Sequence, residues 1–236
     1  MEKFVASSIR SVVNQTYTNW ELIIVDDAST DKTVDVVNEF KNNDPRIKLV
    51  IHDNHAGIAA ARNLSIRLAK GNYLAFLDAD DIWKTDKLQK QLMFMERNHL
   101  GFSYSSYDCI DEQGEKLGKT IRTAGDLNYV DYLHNTIIGC STVLVNTDIT
   151  GSISVPDFRT SEDTATWLNI LKNNHKAYAF DEILVSYRIR KKSASSNKLK
   201  AAFDLWKVYR SQKDLSLPKT IECFCSYVYH SIKKRL

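Results

Sequence analysis

Three carboxylates lie within four residues at Asp78-Ala79-Asp80-Asp81, directly after the apolar run Tyr73-Leu74-Ala75-Phe76-Leu77. Acids this close repel one another. They stay ionised together only where a cation or a dense set of hydrogen-bond donors holds them. An oxygen-only ligand set favours a hard ion, Mg²⁺ or Mn²⁺. The other reading is a solvated acidic turn leading into the helix that follows.

A second apolar run, Leu22-Ile23-Ile24-Val25, also ends in acids, at Asp26-Asp27. Neighbouring strands of one parallel sheet would bring both acidic ends to one rim, where open α/β sheets place their ligands. A carboxylate at the first end can accept the imide N–H of a uracil. The second cluster can hold a divalent ion against a diphosphate. Taken alone, Asp26-Asp27 reads equally as a turn with an Asx cap. Arg62 lies in the Ala-rich stretch Gly57-Ile58-Ala59-Ala60-Ala61-Arg62-Asn63. Small residues let that helix approach the sheet, and a guanidinium suits bidentate contact with phosphate or carboxylate. A structural ion pair to one of the aspartates is the alternative, and both can hold. Ser161-Glu162-Asp163 opens a helix with Trp167, Leu168 and Leu171 on its apolar face. Acids at a helix N-terminus satisfy the dipole, and they can also supply a general base.

The elements that must position these residues follow from periodicity. Helices are predicted over 4–15, 32–42, 57–70 and 84–98, with strands over 22–25, 47–51 and 72–77. That alternation is the signature of a doubly wound sheet. The second half reads differently, with strands over 102–107, 138–145, 176–180 and 184–189, a turn at 112–115 and a helix over 161–173. Antiparallel strands joining there would make the sheet mixed. A polar linker over 191–196 precedes two helices, 198–212 and 218–234. The sequence thus predicts an α/β body over 1–192, divided between a first half to about residue 100 and a second half over 101–192, and a basic helical tail over 193–236.

The 236 residues suffice for one sizeable domain. No apolar run approaches the ~20 residues of a membrane span, and the N-terminus carries no signal-peptide pattern. Cys109, Cys140, Cys223 and Cys225 lack metal-site spacing and read as free thiols in a reducing cytosol. Charge is uneven: 186–236 holds 13 Lys+Arg against 3 Asp+Glu, while the remainder holds 19 against 26. An acidic body with a basic tail implies an anionic partner for the tail. An anionic membrane surface under Phe224, Tyr227, Tyr229 and Lys233-Lys234-Arg235 is one reading. A helix packed on the body with a solvated basic end is the other.

Together the motifs resemble the inverting family-2 glycosyltransferases, which have the GT-A fold. The stretches that carry the likeness are Ile9-Arg10-Ser11-Val12-Val13-Asn14-Gln15-Thr16-Tyr17, Trp20 through Asp31, Gly57 through Asn63, Gly71 through Asp81 and Ser161-Glu162-Asp163. They stand in the family's order, and the likeness spans Phe4 to Arg190. It implies a GT-A-like, mixed and mainly parallel sheet flanked by helices. It implies transfer of a sugar, with inversion, from a nucleotide-sugar donor, by family habit a UDP-sugar. The acceptor would be a hydroxyl of a saccharide or lipid-linked saccharide in bacterial cell-surface polysaccharide synthesis. Asp27 matches the aspartate on the nucleotide base and Arg62 the arginine near base and diphosphate. Asp78 matches the ribose contact and Asp80 the ligand of Mn²⁺ or Mg²⁺. Asp163 matches the catalytic base, with Glu162 supporting the acceptor site and Asp81 supporting the turn. The expected setting is cytoplasmic, at the inner face of the membrane where the tail makes contact, with no nucleic-acid partner.

The sequence departs from the family pattern in two places. The family opens with a central strand ending in an Ile-Pro-x-Tyr-Asn-like turn, whereas this sequence begins at the helix after it. A gap with unpaired backbone groups is therefore expected. Tyr187-Arg188-Ile189-Arg190 also lacks the His that often serves as a metal ligand there. No Q-x-x-R-W element is present, which argues against the processive synthases. Two rival readings remain: a degenerate, non-catalytic binding protein of the same fold, and the D-x-D-x-[T/V] loop of haloacid-dehalogenase-type phosphatases, which Asp78 to Ile82 also resembles.

Overall fold

The first half of the chain alternates helix and strand, as the periodicity predicts. The computed structural model describes residues 1–191 and 198–233. Its elements begin with α1 (Val5–Val13), β1 (Leu22–Asp26), α2 (Thr33–Asn43), β2 (Ile47–Ile51), α3 (Ile58–Leu68), β3 (Tyr73–Ala75), β4 (Ile82–Trp83) and α4 (Lys87–Arg97). They continue with β5 (Phe102–Ile110), β6 (Lys116–Ile121), α5 (Tyr129–His134), a 3₁₀ turn (Cys140–Thr142), β7 (Val143–Asn146), α6 (Thr147–Thr150), α7 (Glu162–Lys172), β8 (Tyr178–Arg188), α8 (Lys198–Ser211) and α9 (Leu217–Lys233).

Local physics explains where the predicted elements and the observed ones part. The strands expected over 176–180 and 184–189 are one strand, β8. The exposed Asp181 and Glu182 that read as a break form a bulge, where the register against β5 slips between Ser105 and Ser106. The strand expected over 138–145 starts only at Val143, because Cys140–Thr142 coils into the 3₁₀ turn. Two-residue β4 is too short to carry a period, and β6 exposes most of its residues. α5 spans only six residues, yet Asn128 and Asp131 close a capping box at its start.

The sheet is in two pieces. β1 and β2 pair in parallel as a two-stranded sheet, and the other six strands run β3-β7-β5-β8-β4, with β6 on β5. The mixture is as expected, but the sheet is not mainly parallel: among the described residues β1·β2 and β5·β8 pair in parallel and the other four pairings are antiparallel, because the second-half strands join it by antiparallel pairing. Among the described residues β1 pairs with β2 alone and β3 with β7 alone, so each leaves one edge unpaired. A cavity of about 780 Å³ lies where these strands meet α1 and α3. The apolar residues of β1 and β3 are only half-buried as a result.

The largest core lies in the second half. Phe102, Tyr132, Val143, Trp167 and Leu168 are buried there, and Leu205, Val208, Tyr209 and Cys223 of α8 and α9 join the same cluster. Each such side chain contributes roughly 1.5–3 kcal/mol by burial. The segment read as a tail therefore packs on the body through one face of each helix. The other face of α9 shows Leu217, Ile221 and Val228 exposed, with Tyr229 beside them. The expected linker beyond residue 191 and the basic end Lys234-Arg235 lie outside the described residues, as does the Lys233 side chain.

Candidate active site

Asp27 follows the last residue of β1. The chain turns there through Ala28, a non-glycine residue at φ 60°, and the Ser29 N–H donates to Asp26 Oδ1 at 2.8 Å. Asp27 itself is ringed by donors. The backbone N–H groups of Ala56 and Gly57 donate to its carboxylate at 2.8 Å each. His52 Nδ1 lies 2.8 Å away and His55 Nδ1 2.7 Å. Gly57 reaches this position at φ 93°, a conformation that side chains strain against, immediately before α3. Burial alone would raise the Asp27 carboxyl. The hydrogen bonds from His52, Ala56 and Gly57, with the field of His55, outweigh it and hold it at about 2.

The second acidic end is built with opposite electrostatics. Asp81 is fully buried. Ser141 donates its hydroxyl to Asp81 Oδ2 at 2.6 Å, and the Arg188 N–H donates to Oδ1 at 3.0 Å. The same Ser141 oxygen accepts the Asp78 N–H at 3.0 Å, so one hydroxyl pins both ends of the acid turn. Burial, then repulsion from Asp78, pushes the Asp81 carboxyl up. Asp81 thus supports the turn, as expected. Asp80 pairs with Arg190 Nε at 2.5 Å, and Arg188 Nε donates to the Asp80 carbonyl at 2.7 Å. Burial raises the Asp80 carboxyl, Arg190 opposes this, and Asp78 adds repulsion. The arginines of Tyr187-Arg188-Ile189-Arg190 therefore sit where a metal-ligand His was sought.

Arg62 joins this rim to the start of α7. Its Nη2 donates to Asp78 Oδ1 and its Nη1 to Glu162 Oε1, both at 2.8 Å. Burial disfavours the guanidinium charge. The carboxylates of Asp78, Glu162 and Asp163 outweigh that cost and hold it. Glu162 is buried and Asp163 half-buried. Burial is the main cause raising both carboxyls. Repulsion between the two acids adds to the rise at Glu162, and Arg62 opposes both shifts. The Thr164 N–H donates to Asp163 Oδ1 at 2.6 Å, which orients that carboxylate at the helix start. Ser161, just before α7, is left-handed at φ 66° with no side-chain cap bond. Strain of this kind, of order 1–3 kcal/mol, clusters at functional sites.

The structure thus brings Arg62, Asp78, Glu162 and Asp163 together, with Asp80 beside them, while Asp27 lies past the end of β1, in the other sheet, with partners only in 52–57. Sequence reasoning missed His52, His55, Ser141 and Arg190. Only the two histidines carried a signal, as ring nitrogens in a loop after a strand. Among the described residues no group of three or more His, Cys, Asp or Glu side chains could hold a metal ion. The donor set still fits a hard cation of the Mg²⁺ type, which commonly takes one or two carboxylates and completes its shell with phosphate and water. Asp78 and Asp80 are such a pair, and their mutual repulsion is what a cation would relieve.

A family model described as glycosyl transferase family 2 matches residues 2–159. The matched region holds Asp27, Arg62, Asp78 and Asp80 and stops just before Glu162 and Asp163. A Bacillus subtilis (strain 168) protein assigned to teichuronic acid biosynthesis, the glycosyltransferase TuaG, is 44% identical over 99% of this chain and 92% of its own length. WfgD of Escherichia coli, a UDP-Glc:alpha-D-GlcNAc-diphosphoundecaprenol beta-1,3-glucosyltransferase, is 38% identical over 99% of this chain and 90% of its own. Among solved structures, S. aureus TarS 1-349 in complex with UDP-GlcNAc superposes with a TM-score of 0.73 at 16% identity, covering 98% of this chain and 70% of that one. The mannosyltransferase PcManGT of Pyrobaculum calidifontis, in complex with GDP-Man and Mn²⁺, gives a TM-score of 0.66 at 17% identity, covering 98% and 66%. The chain belongs to glycosyl transferase family 2, and its fold is of the GT-A type.

Proposed function

We propose that the chain transfers a hexose, with inversion, from a UDP-sugar to a hydroxyl of a lipid-linked saccharide in cell-surface polysaccharide synthesis. The observation that carries this reading is the Arg62 bridge. One guanidinium ties Asp78, on the donor side, to Glu162, beside the candidate base Asp163. The relatives TuaG and WfgD support the substrate classes by their names, and WfgD by its diphosphoundecaprenol acceptor.

Each residue then has a task. Asp27, held charged, accepts the imide N–H of the base. Asp78 accepts from the ribose. Arg62 stabilises negative charge gathering on the departing diphosphate. Asp163 takes the proton of the acceptor hydroxyl as its oxygen attacks the anomeric carbon. The bond from that carbon to the diphosphate oxygen breaks on the opposite face. Glu162, held by Arg62, supports the acceptor side. Asp78 and Asp80 would hold Mn²⁺ or Mg²⁺, which supplies further charge neutralisation at the diphosphate.

The test is transfer from UDP-glucose to a polyprenyl-diphosphate-linked GlcNAc. Asp163→Asn should lower the rate by about 10²–10⁴ while UDP affinity holds. Because the Asp163 carboxyl is raised and must be charged to act, the rate should fall as pH drops through that raised value. Normal transfer by the Asn variant would sink the assignment.

Binding without transfer is the second reading, and the split sheet favours it, since the cavity opens beside Arg62. Stabilisation by UDP with Mn²⁺ but no turnover with any lipid-linked acceptor would select it. Peripheral membrane contact is supported by the exposed α9 stripe of Leu217, Ile221 and Val228. No described helix is long and apolar enough to cross a membrane. Sedimentation with and without anionic vesicles tests the contact.

A further inference from the structure

We infer that Lys87, a buried lysine outside the site, is a positioning residue for it. With Trp83 and Gln91 it grips the backbone of 141–143 and so fixes the Ser141 hydroxyl, to which both ends of the acid turn are tied. The functional part of the inference rests on the reading of Asp78 and Asp80 as the metal pair; the grip itself does not.

Lys87 opens α4, and both it and Gln91 are fully buried. Among the described residues no carboxylate pairs with Lys87. Its Nζ donates to Gln91 Oε1 at 2.9 Å and to the Val143 carbonyl at 3.4 Å, and it lies 4.4 Å from the centre of the Trp83 ring. All three neighbours are acceptors, which suits an ammonium with three N–H donors. Burying such a group is costly, and burial pulls the Lys87 ammonium down to about 7. A methionine has nearly the same length and would fill the same space without that cost. Groups that break the rules of packing are expected where a site needs them.

Three successive carbonyls show what the lysine serves. Trp83 Nε1 donates to the Ser141 carbonyl at 2.9 Å, Gln91 Nε2 to the Thr142 carbonyl at 3.0 Å, and Lys87 to the Val143 carbonyl. Lys87 and Gln91 stand one turn apart on α4, so they share a face. Gln91 Nε2 also donates to Ser103 Oγ of β5 at 3.0 Å, while its Oε1 accepts from Lys87. The Lys87 charge over the indole draws the ring electrons and makes the Trp83 N–H a better donor to Ser141. Linked bonds of this kind strengthen one another. Lys87 is the one group that touches both Trp83 and Gln91 and a carbonyl of the gripped segment.

The effect reaches the acids through a single atom. Ser141 Oγ donates to Asp81 Oδ2 and accepts the Asp78 N–H. These two bonds fasten the turn at both ends. Asp80 lies between them, so the spacing of the Asp78 and Asp80 carboxylates follows from where Ser141 sits. Ser141 is in the 3₁₀ turn Cys140–Thr142, and such turns hold themselves less firmly than an α-helix. The donors from Trp83, Gln91 and Lys87 supply the hold that the turn lacks.

The test is Lys87→Met, which keeps length and bulk and removes the donors. Hydrogen exchange at the amides of 78–81 should quicken by roughly tenfold or more, while exchange at 26–29 holds. UDP affinity measured with Mn²⁺ should weaken by about tenfold or more, and UDP affinity without metal should change less. Ser141→Ala should give the same pattern, and the double variant should show no further loss. If the unaltered chain shows no response to Mn²⁺, the metal reading fails, and exchange at 78–81 still decides the positioning role. Unchanged exchange there in Lys87→Met overturns the inference. Losses that add to those of Ser141→Ala also overturn it, since Lys87 would then act by another route. Equal weakening of UDP affinity with and without metal overturns it too, as the mark of general loosening. Should Lys87→Met not fold, Lys87→Gln is read in the same way. Failure of both variants to fold overturns the inference, because the lysine would then hold the fold rather than the turn.

Discussion

Two strands of this chain end in paired acids, and the two ends are opposites. Asp27 is ringed by backbone N–H groups and histidine nitrogens, which hold its carboxyl at about 2. Asp80 and Asp81 are crowded by burial and by Asp78, which push their carboxyls up, and arginines and a serine contain them. The first end is a settled anion held by its neighbours Ala56, Gly57, His52 and His55. The second is a strained cluster whose repulsion favours a cation. Similar residue types at similar strand ends acquire different chemistry from what the fold sets around them.

The comparison can be broken most forcefully at Arg62, which touches only the second end. Arg62→Met leaves buried Glu162 and partly exposed Asp78 unpaired and should cost roughly 3–5 kcal/mol in urea unfolding, most of it from Glu162. Exchange should quicken at the amides of 78–83 and not at 26–29. Equal loosening of both ends would erase the distinction. A smaller effect separates the ends by their ligands. Asp80→Asn should abolish Mn²⁺-dependent thermal stabilisation and cut any transfer by about 10²–10³. Asp27→Asn should keep the Mn²⁺ response and weaken UDP binding. The reverse pattern would mean the roles are exchanged.

The smallest effect concerns acid stability. Asp27→Asn should cost about 1–3 kcal/mol at neutral pH, because backbone N–H groups lose a charged acceptor. The sign follows from the folded carboxyl being lowered from 3.8 to about 2. Asp27 then stabilises the fold above the unfolded value, and that stability is lost as pH falls from about 4 towards 2. The Asn variant should lose less stability over that interval. An identical acid profile for the two proteins would show that the donors around Asp27 do not favour its charge.

Much of the first half was legible from periodicity, because α1, β1, α2, β2 and α3 each carry a clean apolar pattern of ordinary length. β4, β6 and α6 were not, being short or exposed, and the bulge at Asp181-Glu182 looked like a break. The acid run was ambiguous by itself, since Asp78 to Ile82 fits a phosphatase loop as well as a transferase. The family match over 2–159 decides that point. Ser141 was invisible in sequence, because nothing near it signals that its hydroxyl meets an aspartate 60 residues earlier.

The sequence by itself determined the acids, their strand ends, the order of the elements from α1 to β3 and the family. These are local properties, fixed by residue type and by spacing over a few turns or a single strand. Tertiary structure alone decided which partner each acid meets. The Arg62 to Glu162 pair spans 100 residues, and such a contact depends on how helices and strands stack, which no local pattern encodes. It also decided that β1 and β3 face each other across an open gap. Periodicity marks a strand as buried, but it does not say whether the neighbour that buries it is present.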